Sequence, residues 1–312
     1  MGSAITGWGE ALPERVVTNA EFEARLDTTD EWIVTRTGIR ERRMGGTTGE
    51  LAIKAGWAAL KCAGIDGAGI DLLVLATTTP DRAAPATSAA VHDTLGCSGT
   101  AFDLNAACAG FVYALVVADN LLDKTHRRAL VIGADTLSHI TDQDDRATAV
   151  LFGDGAGAVV LERGGADDFV LAYDLGVDGS ATPLLYADHG GYIKMAGREV
   201  YRRAVRAEIV SIERVLADAG VRPDDIALFV PHQANARIIE AVNERIGIAM
   251  EKTAIVLDRT GNTSSASIPL ALAHAADAGR LAEGDLVLLS GFGAGMTWAS
   301  AIIRWGRRGA GR

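Results

Sequence analysis

The chain has few cysteines, no long apolar run and no excess of positive charge, and each shortage excludes a class of protein. Three cysteines, Cys62, Cys97 and Cys108, cannot build a disulfide framework, and no CxxC or Cys/His cluster with zinc spacing accompanies them. No metal site is expected, and a reducing compartment, the cytoplasm, is the simplest setting. No stretch approaches the ~18 apolar residues of a membrane span. Met1–Glu10 lacks the charged-then-apolar order of a signal peptide. Met1-Gly2 with Thr6 formally fits a myristoylation pattern, but Ala4–Trp8 reads better as a first strand. The formal net charge is −10, so the chain is a poor general nucleic-acid binder, and an acidic partner would need a local basic patch.

What is present is ordinary globular material: 48% hydrophobic and 22% charged residues over 312 positions. That suits one large domain or two joined ones of roughly 150 residues each. Only the Gly/Arg tail Gly306–Arg312 departs from it. Short apolar runs such as Leu72–Ala76, Ala129–Gly133, Ile226–Val230 and Leu286–Ser290 alternate with Ala-rich helical stretches such as Gly49–Ala63, Cys108–Leu122, Gly197–Ala219 and Ser265–Ala278. A further strand is expected over Thr253–Leu257. The pattern predicts an α/β fold with buried strands and helices packed on the sheets.

A weak internal repeat organises these elements. Ile70-Asp71-Leu72-Leu73-Val74 resembles Asp225-Ile226-Ala227-Leu228-Phe229 in context, and aligning Asp71 with Asp225 gives an offset of 225 − 71 = 154. Applied to Cys108, that offset lands on Asn262. Two related halves, 1–165 with Cys108 and 166–312 with His232 and Asn262, would then aim both side chains into one cleft.

Cys108 follows a strand and opens a helix amid small residues, Asn105-Ala106-Ala107-Cys108-Ala109-Gly110. Free N–H groups at a helix start stabilise a thiolate and lower the thiol pKa. Cys62 and Cys97 read as structural. His232, in Val230-Pro231-His232-Gln233, stands at a strand's carboxyl end, where α/β proteins place ligands. The other histidines read as surface or structural residues. Asn262 is a natural helix N-cap, and its pairing with Cys108 through the repeat is what favours function. Gly291-Phe292-Gly293-Ala294-Gly295 could wrap the site with backbone donors. Together the residues suggest an acyl-accepting thiol and two neutral donors for an enolate oxygen, one such donor being worth roughly 3–4 kcal/mol. A Cys-His-Asn protease uses the same residue types without explaining two halves.

Thr28–Arg43, Asn105–Phe111, Phe152–Gly157, Pro231–Ile238, Leu257–Ser267 and Gly291–Trp298 together resemble β-ketoacyl-acyl-carrier-protein synthase III, the thiolase-fold condensing enzyme that initiates fatty acid synthesis. The resemblance implies a thiolase-like α-β-α-β-α sandwich of two pseudo-symmetric halves. It implies Cys108, His232 and Asn262 as the catalytic triad, which takes an acyl group from acyl-CoA and condenses it with malonyl-acyl carrier protein, with no cofactor. It assigns Trp32, Arg36 and Arg146 to CoA. It assigns Gln233, Ala234, Asn235, Ala236, Arg237 and Arg202 to the carrier protein, and Phe292 to the triad's flank. It implies a homodimer. Arg198, Arg202 and Arg206 share a helix face, and Arg36, Arg40, Arg42 and Arg43 cluster. These basic islands could dock an acidic carrier, although Arg198 and Arg206 read as solvated or paired with Glu199, Glu208 and Glu213.

Two departures stand out. Ala84 replaces the family's aromatic residue, which lines the partner subunit's acyl pocket, and the stretch from Leu185 to Ile193 is short. Both remove bulk, so primers larger than acetyl are expected. The alternative is a specialised starter-unit synthase or acyltransferase of a polyketide or other secondary pathway. A non-catalytic partner subunit is the other class, and it has little reason to keep all three triad residues.

Overall fold

The run Leu72–Ala76 is apolar at every position. In the computed structural model, which describes residues 2–123, 125–165 and 169–306, all five of its residues are buried. Such a strand needs cover on both faces. Leu72, Val74 and Ala76 enter one core and Leu73 and Leu75 another, as side-chain alternation requires.

The strands that form the two large sheets are β1 (Gly2–Ala11), β2 (Leu72–Ala76), β3 (Thr100–Leu104), β4 (Arg128–Thr136), β5 (Asp154–Gly165), β6 (Val170–Val177), β7 (Ile226–Pro231), β8 (Leu286–Gly293) and β9 (Thr297–Arg304). The main helices are α1 (Thr48–Ala63), α2 (Thr87–Leu95), α3 (Gly110–Leu121), α4 (Gly197–Ala219), α5 (Ala236–Ile246) and α6 (Ser267–Asp277). One sheet has the order β1-β5-β4-β2-β3 and the other β6-β9-β8-β7. The orders superpose: β2 and β4 are parallel like β7 and β8, while β5 and β9 each run antiparallel to both neighbours.

Between the sheets lie α3 and α6. Phe111, Leu115, Ile268 and Leu272 share a single core there with Val74, Val131, Val230 and Leu289. Outside the first sheet, α1 and α2 bury Leu51, Leu60, Val91 and Leu95 against it; outside the second, α4 and α5 bury Ile212, Val215, Ile238 and Val242. The result is the α-β-α-β-α sandwich. Each buried leucine contributes ~1.5–3 kcal/mol. A methyl on Gly133 of β4 would come 2.3 Å from the carbonyl oxygen of Ser265. That glycine lets the start of α6 approach the first sheet.

Other expectations are corrected. Thr253–Leu257 makes only one bridge, Thr253 to Phe229, and the chain then turns through a short helix, Leu257–Thr260. Within the motif Phe152–Gly157, β5 begins at Asp154. Arg42 belongs to no surface cluster. It is fully buried, donates to Asn19 Oδ1 at 2.6 Å and to the Val150 carbonyl, and covers the Phe22 ring; burial lowers its pKa to about 10. Leu185–Tyr186 and Lys194–Met195 pair as a small hairpin, which is the form taken by the short Leu185–Ile193 stretch. The tail beyond Gly306 lies outside the described residues, as do residues 166–168 immediately after the expected boundary at 165. Among the described residues no helix is long and apolar enough to cross a membrane.

Candidate active site

Two turns of one design face each other across the halves. Asn105 Oδ1 accepts the Ala107 N–H at 3.1 Å, and Asn262 Oδ1 accepts the Ser264 N–H at 2.9 Å. Ala107 and Ser264 then take left-handed φ angles of 48° and 51°, the only non-glycine residues with positive φ among the described residues. A one-turn helix follows each, Ala107–Ala109 and Ser264–Ala266, and leads into α3 and α6. The separation is 264 − 107 = 157 residues, which corrects the expected 154. The counterpart of Asn262 is therefore Asn105, and that of Cys108 is Ser265. The two side chains share a cleft through this crossed arrangement.

Ser265 is structural. Its Oγ lies 2.6 Å from Asp135 Oδ2 and 2.8 Å from the Ala76 carbonyl, with one hydroxyl hydrogen to share between these two acceptors, and its N–H also donates to Asp135 Oδ2. The other oxygen of buried Asp135 accepts from the Thr78 N–H and from the hydroxyls of Thr77, Thr78 and Thr79. One carboxylate thus ties the second half's turn to the first sheet. Several donors can hold such a buried charge where none would make it costly.

Cys108, His232 and Asn262 all line one cavity of about 970 Å³, with Phe292, Thr78, Leu137, Phe152, Leu185 and Ser264 among its walls. Gly291 and Gly293 of β8 press on the nucleophile turn. A methyl on Gly293 would come 2.6 Å from the Cys108 nitrogen, and one on Gly291 would touch both the Cys108 carbonyl and His232 Cβ. The helix start does not yield a low-pKa thiol at rest. Burial pushes Cys108 up to about 12, first by desolvation; the Ser264 hydroxyl bond opposes this, and Asp135 adds to it.

His232 is buried, and desolvation pushes its pKa down to about 3, so its ring is neutral. Its Nδ1 lies 2.7 Å from Ser267 Oγ, its N–H meets the Ser290 carbonyl at 2.7 Å, and Phe292 packs edge-on at 5.5 Å. The backbone of Asn262 is held by Leu151 and Gly153 from the first half.

The cavity mouth carries Trp32, Arg36, Arg198 and Arg237, with Ala234, Asn235 and Tyr201. Arg146 lies against the Trp32 ring at 5.0 Å and Arg36 at 5.9 Å, a cation–π stack on both. Asn235 caps α5 and donates to the Arg36 carbonyl. Gln233 cannot reach a partner protein. It is fully buried, its Nε2 donates to the Pro231 and Ala254 carbonyls, and its Oε1 accepts from Val256 and Leu257. Ala236 packs against Gly38, which leaves Arg237 as the exposed member of Gln233–Arg237. Exposed Arg202 pairs with Glu199 at 3.3 Å. Arg198, read from sequence as a solvated residue, lines the mouth, and Glu208, read as its surface partner, is buried. Ala84 lies in the exposed run Pro80–Ala86 and does not line the cavity of a single chain. Sequence reading also missed Thr78, Ser264 and Ser267, whose small polar side chains look like generic turn and cap residues.

Two family models match the chain. The one described as 3-oxoacyl-[acyl-carrier-protein (ACP)] synthase III matches residues 102–179, and its C-terminal companion matches residues 216–305. A β-ketoacyl-[acyl-carrier-protein] synthase III of Erythrobacter litoralis is 51% identical over 319 residues, covering 97% of this chain and 99% of the relative. The crystal structure of 3-oxoacyl-[acyl-carrier-protein] synthase III from Aquifex aeolicus superposes with a TM-score of 0.95 at 44% identity, covering 97% of this chain and all of that one. The priming β-ketosynthase of the R1128 polyketide pathway superposes with a TM-score of 0.93 at 35% identity, covering 98% and 97%. With its twin turns, its shared cavity and relatives that match end to end, the chain belongs to the β-ketoacyl-acyl-carrier-protein synthase III family.

Proposed function

We propose that this chain joins an acyl-CoA primer to malonyl-acyl carrier protein by decarboxylative Claisen condensation, the reaction that initiates fatty acid synthesis. The observation that carries the reading is one cavity in which a cysteine faces two uncharged donors, His232 and Asn262. In the first step the Cys108 sulfur attacks the thioester carbonyl, CoA leaves, and the thiol proton ends on the CoA sulfur. Because the resting thiol is protonated, substrate must enter and the proton must move before the sulfur reacts. The Cys108 N–H, at the start of its helical turn, faces the developing oxyanion.

In the second step the malonyl carboxylate leaves as CO2, and its electron pair forms an enolate on the thioester. The step requires the tautomer in which Ser267 O–H donates to His232 Nδ1 across their 2.7 Å contact, so that Nε2 carries the hydrogen and points it at the enolate oxygen beside Asn262. A carboxylate in either place would repel that charge. The enolate carbon attacks the acyl carbonyl, the Cys108 thiolate departs and takes a proton from solvent, and 3-oxoacyl-carrier protein leaves. The reaction calls on no cofactor, since both thioesters are substrates.

Trp32, with Arg36 and Arg146 stacked on it, suits the adenine and phosphates of CoA. Arg237, Arg198 and Arg202 offer an acidic carrier protein a basic rim in an acidic chain, Arg202 once released from Glu199. The chain acts in the cytoplasm as a homodimer, in which the exposed Ala84 segment meets the partner's acyl pocket; there alanine leaves room for primers larger than acetyl. No observation favours the polyketide reading. Its solved relative shares 35% identity, against 51% for the synthase III relative above.

The test is a panel of acetyl, branched and longer acyl-CoAs scored by mass spectrometry for an adduct on Cys108, followed by malonyl-carrier addition. The expected result is an adduct, chased to product and CO2, and lost in Cys108→Ser. Condensation retained in Cys108→Ser would sink the mechanism. Acetyl-CoA outcompeting every larger donor would sink the primer assignment alone.

A further inference from the structure

Helix α4 carries a buried carboxyl that the condensation chemistry leaves unused. Val200, Ala204 and Glu208 recur at four-residue spacing and form one buried stripe. Val200 lines the active cavity, and Glu208 lies two turns further along, against β8. On that strand Leu288, Ser290 and Phe292 alternate onto one face, and Leu288 and Phe292 share a core with α4. Ser290 Oγ donates to Glu208 Oε1 at 3.2 Å and lies 3.0 Å from Ser300 Oγ on β9. The Ser290 carbonyl is the acceptor for the His232 N–H, and Phe292 packs on the His232 ring. The strand that meets His232 through both backbone and ring is thus held from behind by Glu208.

An apolar side chain would fill the same space without the cost of burying a carboxyl. Burial keeps this one protonated at neutral pH. A neutral carboxyl both donates and accepts, so it can satisfy the Ser290–Ser300 hydroxyl pair in either orientation. We propose that Glu208 is a positioning residue for the condensation step, fixing through Ser290 the segment of β8 against which His232 is aimed. This rests on the reading of His232 as the enolate donor. The Cys108 thiol leans instead on Ser264, in the opposing turn, and β8 meets the nucleophile turn through Gly291 and Gly293, which have no side chain to shift, so loss of Glu208 weighs far more on condensation than on acylation.

The experiment compares Glu208→Leu, Glu208→Gln, Ser290→Ala and His232→Ala in the full chain. Butyryl-CoA serves as acyl donor and malonyl-acyl carrier protein as acceptor, and a melting temperature is recorded for each variant. In Glu208→Leu the rate of Cys108 acylation stays within about twofold, while the condensation kcat falls roughly ten- to hundredfold, the scale of a misaimed catalytic group. Glu208→Gln, which keeps the hydrogen bond, restores condensation. Should Glu208→Leu fail to fold, Ser290→Ala decides by the same split. Unchanged condensation in a folded Glu208→Leu or Ser290→Ala overturns the proposal, and so does a parallel fall of both half-reactions. If His232→Ala itself condenses normally, the donor reading of His232 has failed; if only His232→Ala is impaired, the Glu208 proposal alone has failed.

Discussion

His232 and Glu208 are buried titratable groups pushed in opposite directions, and together they predict the shape of the stability curve. Desolvation takes His232 from its ordinary 6.5 down to about 3. Below 6.5 the unfolded chain binds a proton that the folded state refuses, so stability present above 6.5 is lost as pH falls toward 3. Glu208 goes from its ordinary 4.5 up to about 8. Above 4.5 the folded state keeps a proton that the unfolded chain releases, so stability present below 4.5 is lost as pH rises toward 8. Each slope is about 1.4 kcal/mol per pH unit, and each interval amounts to about 5 kcal/mol in full. Between 4.5 and 6.5 the slopes have opposite sign and cancel, so the pair alone produces a plateau flanked by an acid and an alkaline decline. The perturbations are His232→Asn and Glu208→Gln, and the assay is urea denaturation at pH steps from 4.5 to 8.5. Relative to the parent, His232→Asn gains stability progressively as pH drops below 6.5, and Glu208→Gln gains it as pH rises above 4.5. Parent and variant curves that run parallel across the range would refute the reasoning, because each difference isolates one group.

Three other outcomes are expected. Ser267→Ala removes the donor to His232 Nδ1 and frees the ring to take the other tautomer; condensation should drop roughly ten- to a hundredfold with Cys108 acylation intact, and an equal loss in Ser267→Thr would argue against the hydroxyl's role. Gly293→Ala places a methyl 2.6 Å from the Cys108 nitrogen, so acylation by acyl-CoA should fall at least about tenfold, measured by single-turnover mass spectrometry; a fully active variant would show that the turn has room to move. Because burial holds the Cys108 thiol near 12, iodoacetamide should alkylate it slowly at pH 7 and faster with rising pH; a rate already saturated at neutral pH would mean a stabilised thiolate at rest.

Much of this molecule is legible in its sequence, because apolar strands buried on both faces and a turn ahead of each central helix leave strong patterns. The α/β layering follows from runs such as Leu72–Ala76, and Cys108 and His232 stand where a strand gives way to a helical turn. What stays hidden is burial of polar groups. Arg42, Gln233 and Glu208 look like surface residues in one-letter code, yet each is buried with its hydrogen bonds met across more than a hundred residues or by another element. The offset fails for a related reason: the strands Leu72–Ala76 and Ile226–Pro231 are matched by composition, whereas the turns are matched by Asn105 and Asn262, whose identical backbone bonds appear only in three dimensions. Thr253–Leu257 reads as a strand on β-branched residues alone, but it finds one bridge and then turns.

The twin turns carry one more consequence. A duplicated module ordinarily offers two copies of whatever it does, yet here the copies have divided the labour. In the first, position 108 holds the attacking sulfur and Asn105 shapes the loop that presents it. In the second, Asn262 looks into the chamber, and the position equivalent to the nucleophile, Ser265, has become a fastening between the halves through Asp135. A cysteine placed at 265 would therefore create no second reaction centre; it would loosen the joint that keeps the first one closed.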